Sequence, residues 1–251
     1  MSTGTRPIGD FCWINMLTPQ PAAAREFFAR VLGWTYVEMP GMGHRVQVGG
    51  RDIGGLFDLD GPATPPGTPP LIGVMVKVAN ADDAAAHVTS LGGHARDPFD
   101  IMDQGRMAVC RDPNGAEFDV WEPKKGQGTD ADSALHGAPC WFETMTSDAP
   151  RAARFYSALF GWTAEPMPRQ NYTVFRNAGQ PVAGILPAAN GALRPHWAAY
   201  FTVRNADETA ALAAAAGATV CVAPQHIPGV GRFAGITSPQ GVTFYVIAYE
   251  R

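Results

Sequence analysis

The sequence predicts an α+β protein made of two like domains in tandem, each holding two strand–helix–strand–strand–strand units. Two observations carry this reading. Trp13–Trp34 (WINMLTPQPAAAREFFARVLGW) is echoed 128 positions later by Trp141–Trp162 (WFETMTSDAPRAARFYSALFGW). The match then continues in order. Gly54-Gly55-Leu56 answers to Ala183-Gly184-Ile185, Asn80-Ala81-Asp82 to Asn205-Ala206-Asp207, and Gly105-Arg106-Met107 to Gly231-Arg232-Phe233. Asp112-Pro113-Asn114-Gly115 answers to Ser238-Pro239-Gln240-Gly241, and the offset drifts only between 125 and 129. A period far longer than a solenoid unit means two globular copies.

Residues 11–17 (FCWINML) read as a strand, with Ile14 and Met16 on one face and Trp13 and Asn15 on the other. A helix from about Pro21 to Leu32 follows. Phe27–Val31 and Phe28–Leu32 form its apolar stripe, and Gly33 supplies a left-handed cap. Its counterpart starts near Asp148-Ala149-Pro150, an N-cap with proline close behind. Three short strands are predicted around Thr35–Met39, Arg45–Val48 and Ile53–Leu59, with Gly49-Gly50 as the tight turn between the last two. A proline-stiffened spacer, GPATPPGTPP, occupies residues 61–70. Then come a strand at Leu71–Val78, a helix at Asp82–Leu91 and a strand at His94–Pro98. Met107–Arg111 and Glu117–Glu122 close the unit around a Pro113/Gly115 turn. The second copy repeats the plan, with Ala206–Ala216 as its second helix. The predicted domains are residues 8–122 and 139–251. Residues 123–138 (PKKGQGTDADSALHGA) are polar, Gly-rich and without apolar period, and read as a linker.

The 251-residue chain is 46% hydrophobic and 17% charged, enough apolar content for two ordinary cores. Its net charge of −4 comes with no basic stripe, which argues against nucleic acid. No run approaches a membrane span, and MSTGTRPIGD lacks the pattern of a signal peptide, so a cytoplasmic protein is expected. The four cysteines include no CxxC pair and read as buried thiols rather than disulfides.

A strand, a helix ending in Phe27-Phe28…Leu32-Gly33-Trp34, three strands and an Asp112-Pro113-Asn114-Gly115 turn resemble the vicinal oxygen chelate superfamily. Phe155-Tyr156…Phe160-Gly161-Trp162 and Ser238-Pro239-Gln240-Gly241 repeat the likeness, so that it covers nearly the whole chain twice. That superfamily includes glyoxalase I, extradiol dioxygenases and the fosfomycin and bleomycin resistance proteins. The nearest likeness is to two-domain glyoxalase-like proteins of actinobacteria, often labelled hydroxylases or glyoxylases. The resemblance implies a curved mixed sheet in each domain, wrapped around a cleft, with helices outside. It also implies four positions per domain where metal-dependent members place ligands. Aligned here, those positions hold Trp13, Leu56, Gly73 and Asp119, then Trp141, Ile185, Ala198 and Tyr245. A catalytic divalent metal needs about three N or O ligands on a rigid frame. Only Asp119 qualifies, so no metal and no other cofactor is expected. The six histidines form no HxH or HExxH pair, although a site assembled from scattered His44, His196 or His226 with a carboxylate is the alternative.

Trp13 and Trp141 replace the usual first ligand and point by strand parity into the clefts, either as core plugs or as aromatic walls for a planar ligand. Trp34 and Trp162, after the helix caps, read as core. Glu143 and Asp119 are the acid–base candidates, since a carboxylate in an apolar cleft has a raised pKa. Asn15 stands opposite Glu143 in the first copy, and Tyr245 opposite Asp119 in the second. Arg106 and Arg232 follow glycine in both copies and read either as turn arginines or as cations at the cleft mouth. Tyr172, Tyr200 and Tyr245 offer hydroxyls to orient a substrate. Three functions fit: a metal-independent binder of a small apolar or aromatic metabolite or antibiotic, a lyase, isomerase or tailoring enzyme using Glu143 or Asp119 as base, or a protein with filled clefts acting through partners. A small-molecule ligand is the expected partner, and a homodimer is compatible with the sequence.

Overall fold

A computed structural model describes residues 4–61, 64, 67–188 and 194–250 of the chain. Only part of the 61–70 spacer falls among them. The first repeat contains β1 (Phe11–Thr18), α1 (Pro21–Leu32), β2 (Thr35–Met39), β3 (Gly43–Val48) and β4 (Arg51–Asp58). It continues with β5 (Leu71–Lys77), α2 (Ala81–Ser90), β6 (His94–Ala95), β7 (Phe99–Ile101), β8 (Gly105–Arg111) and β9 (Glu117–Pro123). The second repeat has β10 (Pro139–Thr146), α3 (Ala149–Phe160), β11 (Thr163–Met167), β12 (Tyr172–Asn177) and β13 (Gln180–Pro187). Then follow β14 (His196–Thr202), α4 (Ala206–Ala215), β15 (Thr219–Ile227), β16 (Gly231–Thr237) and β17 (Thr243–Tyr249). The predicted strand at His94–Pro98 is instead two pieces, β6 and β7, both paired to β8. Proline without an N–H cannot continue a ladder.

Each repeat makes one mixed sheet. The strand orders are β2-β3-β4-β1-β5-β9-β8-β6 and β11-β12-β13-β10-β14-β17-β16-β15. Parallel pairs β1·β4 and β5·β9 lie beside the antiparallel pair β1·β5, and the second sheet has the same arrangement. Local rules account for several elements. Gly49 and Gly50 both have positive φ, 57° and 76°, as a two-residue primed hairpin turn requires. Asp148 caps α3 by accepting from the Arg151 N–H at 2.9 Å. Gly33 and Gly161 end α1 and α3 in the left-handed conformation.

The alternating face of β1 decides the layers. Ile14 and Met16 are fully buried and face α1, whereas Trp13, Asn15 and Leu17 are only partly buried on the opposite, concave face. Leu56 pairs with Met16, and Ile185 with Thr144, so both side chains enter the helix-side core. They were aligned with metal-ligand positions. They therefore do not face the clefts, since adjacent residues of a strand point to opposite faces.

The helix-side faces of the two sheets build one common core. Phe11 stacks on Phe142 across the domain junction at 4.2 Å between ring centroids. Phe28 of α1 meets Phe244 of β17, and Phe118 of β9 meets Phe155 and Tyr156 of α3. Trp34 and Trp162 are buried in this core, as expected. Each indole N–H bonds at 2.8 Å to the segment that leads into the other repeat's first strand, Trp34 to the Gly137 carbonyl and Trp162 to that of Gly9. The expected linker is a packed strap. Thr129, Ala131, Ser133 and Ala138 are buried, and the Thr129 N–H donates to the Cys12 carbonyl. Its polar composition serves backbone and hydroxyl hydrogen bonds rather than exposure. Among the described residues no helix is long and apolar enough to cross a membrane.

Candidate functional site

The C-terminal concave face is assembled from strand register. Glu143 on β10 pairs with Gly184 on β13 and Ala198 on β14, while Trp141 pairs with Tyr200, which pairs with Tyr245 on β17. A bulge between Pro139 and Trp141 turns Cys140 and Trp141 to the concave side, where both pack on the apolar cluster of Met145, Ala198, Tyr200, Tyr245 and Ile247. The same bulge recurs between Phe11 and Trp13, with Cys12 and Trp13 against Met75, Met107 and Trp121.

Glu143 is the polar centre of the second cleft. It is only 5% exposed, and Tyr200 donates its hydroxyl to it at 3.1 Å. Tyr172 also hydrogen-bonds to Glu143, and accepts the Trp141 indole N–H at 2.9 Å. Tyr200 stacks on Tyr245 at 4.8 Å. Among the described residues no lysine or arginine compensates the carboxyl; burial raises its pKa, and the two tyrosines oppose that. Burial drives the Tyr172 and Tyr200 phenols well above their ordinary value, with Glu143 adding to it, so both remain donors. Gly184 is what admits this arrangement, because a Cβ there would collide with the Tyr172 hydroxyl.

In the first cleft the carboxyl comes from the other strand. Asn15, at the Glu143 position, donates to Asp119 at 3.2 Å, and Asp119 occupies the Tyr245 position. Burial lifts Asp119 to about 7, the Asn15 hydrogen bond resisting and Glu117 adding slightly. Met75 stands in place of Tyr200, and Gly43 in place of Tyr172. The Phe57 ring lies over Gly55 instead, where a Cβ would meet it.

The structure brings together Trp141, Glu143, Tyr172, Tyr200 and Tyr245 in one cleft, and Trp13, Asn15 and Asp119 in the other. It does not bring in the arginines. Arg106 forms a two-pronged bond to Asp82, at 2.7 and 2.9 Å, and Arg232 pairs likewise with Asp207. Those aspartates open α2 and α4, so both arginines tie a helix N-terminus to the sheet rather than serving the cleft mouth. Their neighbours in sequence, Met107 and Phe233, are the ones that face the clefts. Cys12, Cys110 and Cys140 are enclosed thiols with raised pKa, but Cys221 is exposed.

Among the described residues, no group of three or more His, Cys, Asp or Glu side chains could hold a metal ion. The concave neighbours Gly55 and Gly184 add no ligand. His226 instead pairs with Glu250 at 3.1 Å, and His196 with the Arg194 carbonyl at 2.8 Å. The described residues therefore supply no ligand set for a divalent metal centre. A cavity of about 50 Å³ lies at the domain junction beside Arg6, Asp10, Trp13 and Trp141, and an open one of about 290 Å³ lies beside Gln47, Arg51 and Asp130. Neither is lined by Glu143 or Asp119.

The glyoxalase-like domain family model matches this chain twice, over residues 13–121 and 141–247. The chain belongs to the glyoxalase-like domain family. Within the family it is 33% identical over 244 residues to "Putative glyoxylase CFP32" of Mycobacterium tuberculosis, covering 94% of this chain and 93% of that protein. It is 31% identical to the "Anthracycline biosynthesis protein DauV" of Streptomyces sp. strain C5, covering 94% and 91%. Among solved structures, the Mn(II)-bound glyoxalase of Novosphingobium aromaticivorans matches with a TM-score of 0.68 at 16% identity, over 99% of this chain and 83% of that one. Homoprotocatechuate 2,3-dioxygenase of Brevibacterium fuscum matches with 0.66 at 11%, over 100% and 83%. At those identities the structural likeness establishes the fold: two tandem vicinal oxygen chelate domains.

Proposed function

We propose that this glyoxalase-like protein binds a small aromatic or otherwise apolar metabolite on the concave face of its C-terminal domain, at Glu143 and without a metal. The observation that carries the reading is the Glu143 carboxyl, without a cationic partner among the described residues and buried among Trp141, Tyr172, Tyr200 and Tyr245. A carboxyl there can accept from a phenol and, when protonated, donate to a carbonyl, and the indole and stacked phenol rings offer faces to a flat molecule. Tyr172 is only partly buried, and its movement would uncover Glu143. Relatives named for anthracycline biosynthesis favour a polycyclic aromatic compound as the ligand class.

The test is co-purification of metabolites identified by mass spectrometry, alongside elemental analysis. A bound aromatic compound whose affinity falls about ten-fold or more in Glu143→Gln, with no stoichiometric transition metal, is the expected result. Retained affinity in Glu143→Gln would overturn the assignment of the site. One metal per chain, removed by chelator with loss of binding, would overturn the metal-free reading. A Glu143→Leu variant that gains stability in a protein with no ligand would identify a filled cleft instead.

A second reading, turnover, is favoured by Asp119. A carboxyl near 7 can take and return a proton at neutral pH. On that reading a lyase, isomerase or tailoring enzyme would lose about 10²–10⁴-fold in kcat through Asp119→Asn or Glu143→Gln. Unchanged kcat in both variants would exclude the two carboxyls as the base.

A further inference from the structure

Away from both clefts, three half-buried polar side chains of the N-terminal domain converge on the edge of the helix-side face. Arg25 comes from α1, Tyr36 from β2 and His44 from β3. Register places Tyr36 opposite Val46 and Glu38 opposite His44, and Val46 is fully buried in the core, so Tyr36 and His44 share the face under α1. The Arg25 Nε, the Tyr36 hydroxyl and the His44 Nδ1 are each enclosed, and none has a hydrogen-bond partner among the described residues. The Arg25 charge acts on both neighbours. It forms no ion pair among the described residues, and Glu38 acts on His44 by charge.

Enclosed polar atoms in native proteins are nearly always partnered, and leaving one unmet costs about 1–3 kcal/mol. Three at one point, one of them on an arginine without an ion-pair partner among the described residues, can form the donor set of an anion site. The repeat supplies an internal control. The equivalent positions are Ala153, Ala164 and Thr173, and Ala153 and Ala164 simply pack against the core. All three polar residues are thus replaced together in the copy.

We propose that Arg25, Tyr36 and His44 form a binding site for a small oxyanion, a carboxylate or phosphate group, between α1 and the β2–β3 hairpin. Arg25 Nε and the Tyr36 hydroxyl donate to the oxyanion, and His44 Nδ1 donates as the third group. The His44 ring is otherwise held below its ordinary pKa by burial and by Arg25, with Glu38 opposing. An anion seated between them stabilises the imidazolium and reverses that direction.

The experiment titrates the His44 ring by NMR in low-chloride bis-tris buffer, with inorganic phosphate or with acetate up to about 50 mM, far above a millimolar dissociation constant. A saturable upward shift of about one unit in the His44 pKa is expected with at least one of the two anions. Comparing the two separates phosphate from carboxylate preference. Arg25→Gln and Tyr36→Phe should each weaken the response at least ten-fold, and Glu38→Gln should strengthen it by removing a repelling charge. No shift with either anion would overturn the proposal and leave enclosed water as the partner. A shift unchanged in both Arg25→Gln and Tyr36→Phe would place the anion elsewhere and overturn it equally. The wild-type titration decides the matter even if a variant fails to fold.

Discussion

The two clefts share a backbone and differ in where they keep their acid. In the C-terminal cleft the carboxyl stands on the first strand, as Glu143, and tyrosines answer it from β12 and β14. In the N-terminal cleft it stands on the last strand, as Asp119, and an amide, Asn15, answers from β1. Each cleft therefore keeps one protonatable oxygen near its centre while exchanging the strand that supplies it. The surroundings diverge with it. Tyr172 arches over Gly184 to reach Glu143, whereas Gly43 leaves that space to the Phe57 ring lying over Gly55. A duplicated fold can thus hold two different chemistries, because concave-face side chains carry little of the shared core.

The largest effects should fall outside the clefts. Trp34→Ala and Trp162→Ala each remove a buried indole and an interdomain hydrogen bond, and should cost about 3–5 kcal/mol by denaturant unfolding. Trp13→Ala and Trp141→Ala should cost less than about 2 kcal/mol and act on ligand binding instead. Equal losses at all four positions would make the cleft tryptophans core plugs and remove the distinction between cleft and core.

Next in size is the contrast of two glycines. Gly184→Ala must drive the Tyr172 hydroxyl away from Trp141 and Glu143, a cost of about 1–3 kcal/mol. Gly55→Ala displaces only the partly buried Phe57 ring and should cost about 1 kcal/mol less. Identical melting temperatures for the two variants would show that the tyrosine network contributes nothing to the second cleft.

Comparable in size is a difference in pH response. Asp119 keeps its proton in the folded state up to about pH 7, but an unfolded chain releases it near the ordinary aspartate value of about 3.9. The folded protein holds the extra proton between those limits. Its contribution to stability is complete below about pH 4 and is lost as pH rises through about 7. Asp119→Asn should therefore gain melting temperature relative to the unsubstituted protein between pH 5 and pH 8. A constant difference across that range would mean that Asp119 titrates normally and that the first cleft is not a dry site.

The smallest effect concerns the strap. Lys124 and Lys125 are exposed and paired only with Asp100 and Asp103 on the surface, so trypsin should cut there. The halves should stay associated and lose little stability, since a cut at Lys124 or Lys125 leaves Phe11–Phe142 and the two reciprocal tryptophan bonds in place. Separation of the fragments on gel filtration would refute the common core.

Repeat spacing, helix stripes and glycine caps were enough to determine two like α+β domains, because these depend on local periodicity and chain geometry. Strand parity likewise put Trp13, Asn15, Trp141 and Glu143 on the face away from Ile14 and Met16. Tertiary structure alone decided the rest. Leu56 and Ile185 turned inward because face follows from pairing register, which a one-residue slip inverts. Arg106 and Arg232 went to helix-opening aspartates 24 and 25 residues away in sequence, a preference that only the packed helix creates. The polar 123–138 segment became a partly buried strap because its partners, Cys12 and Thr202, sit on β1 and β14, which it crosses. The cleft carboxyls gained their raised pKa from enclosure by residues scattered over four strands, and enclosure is a property of the folded surface rather than of any stretch of chain.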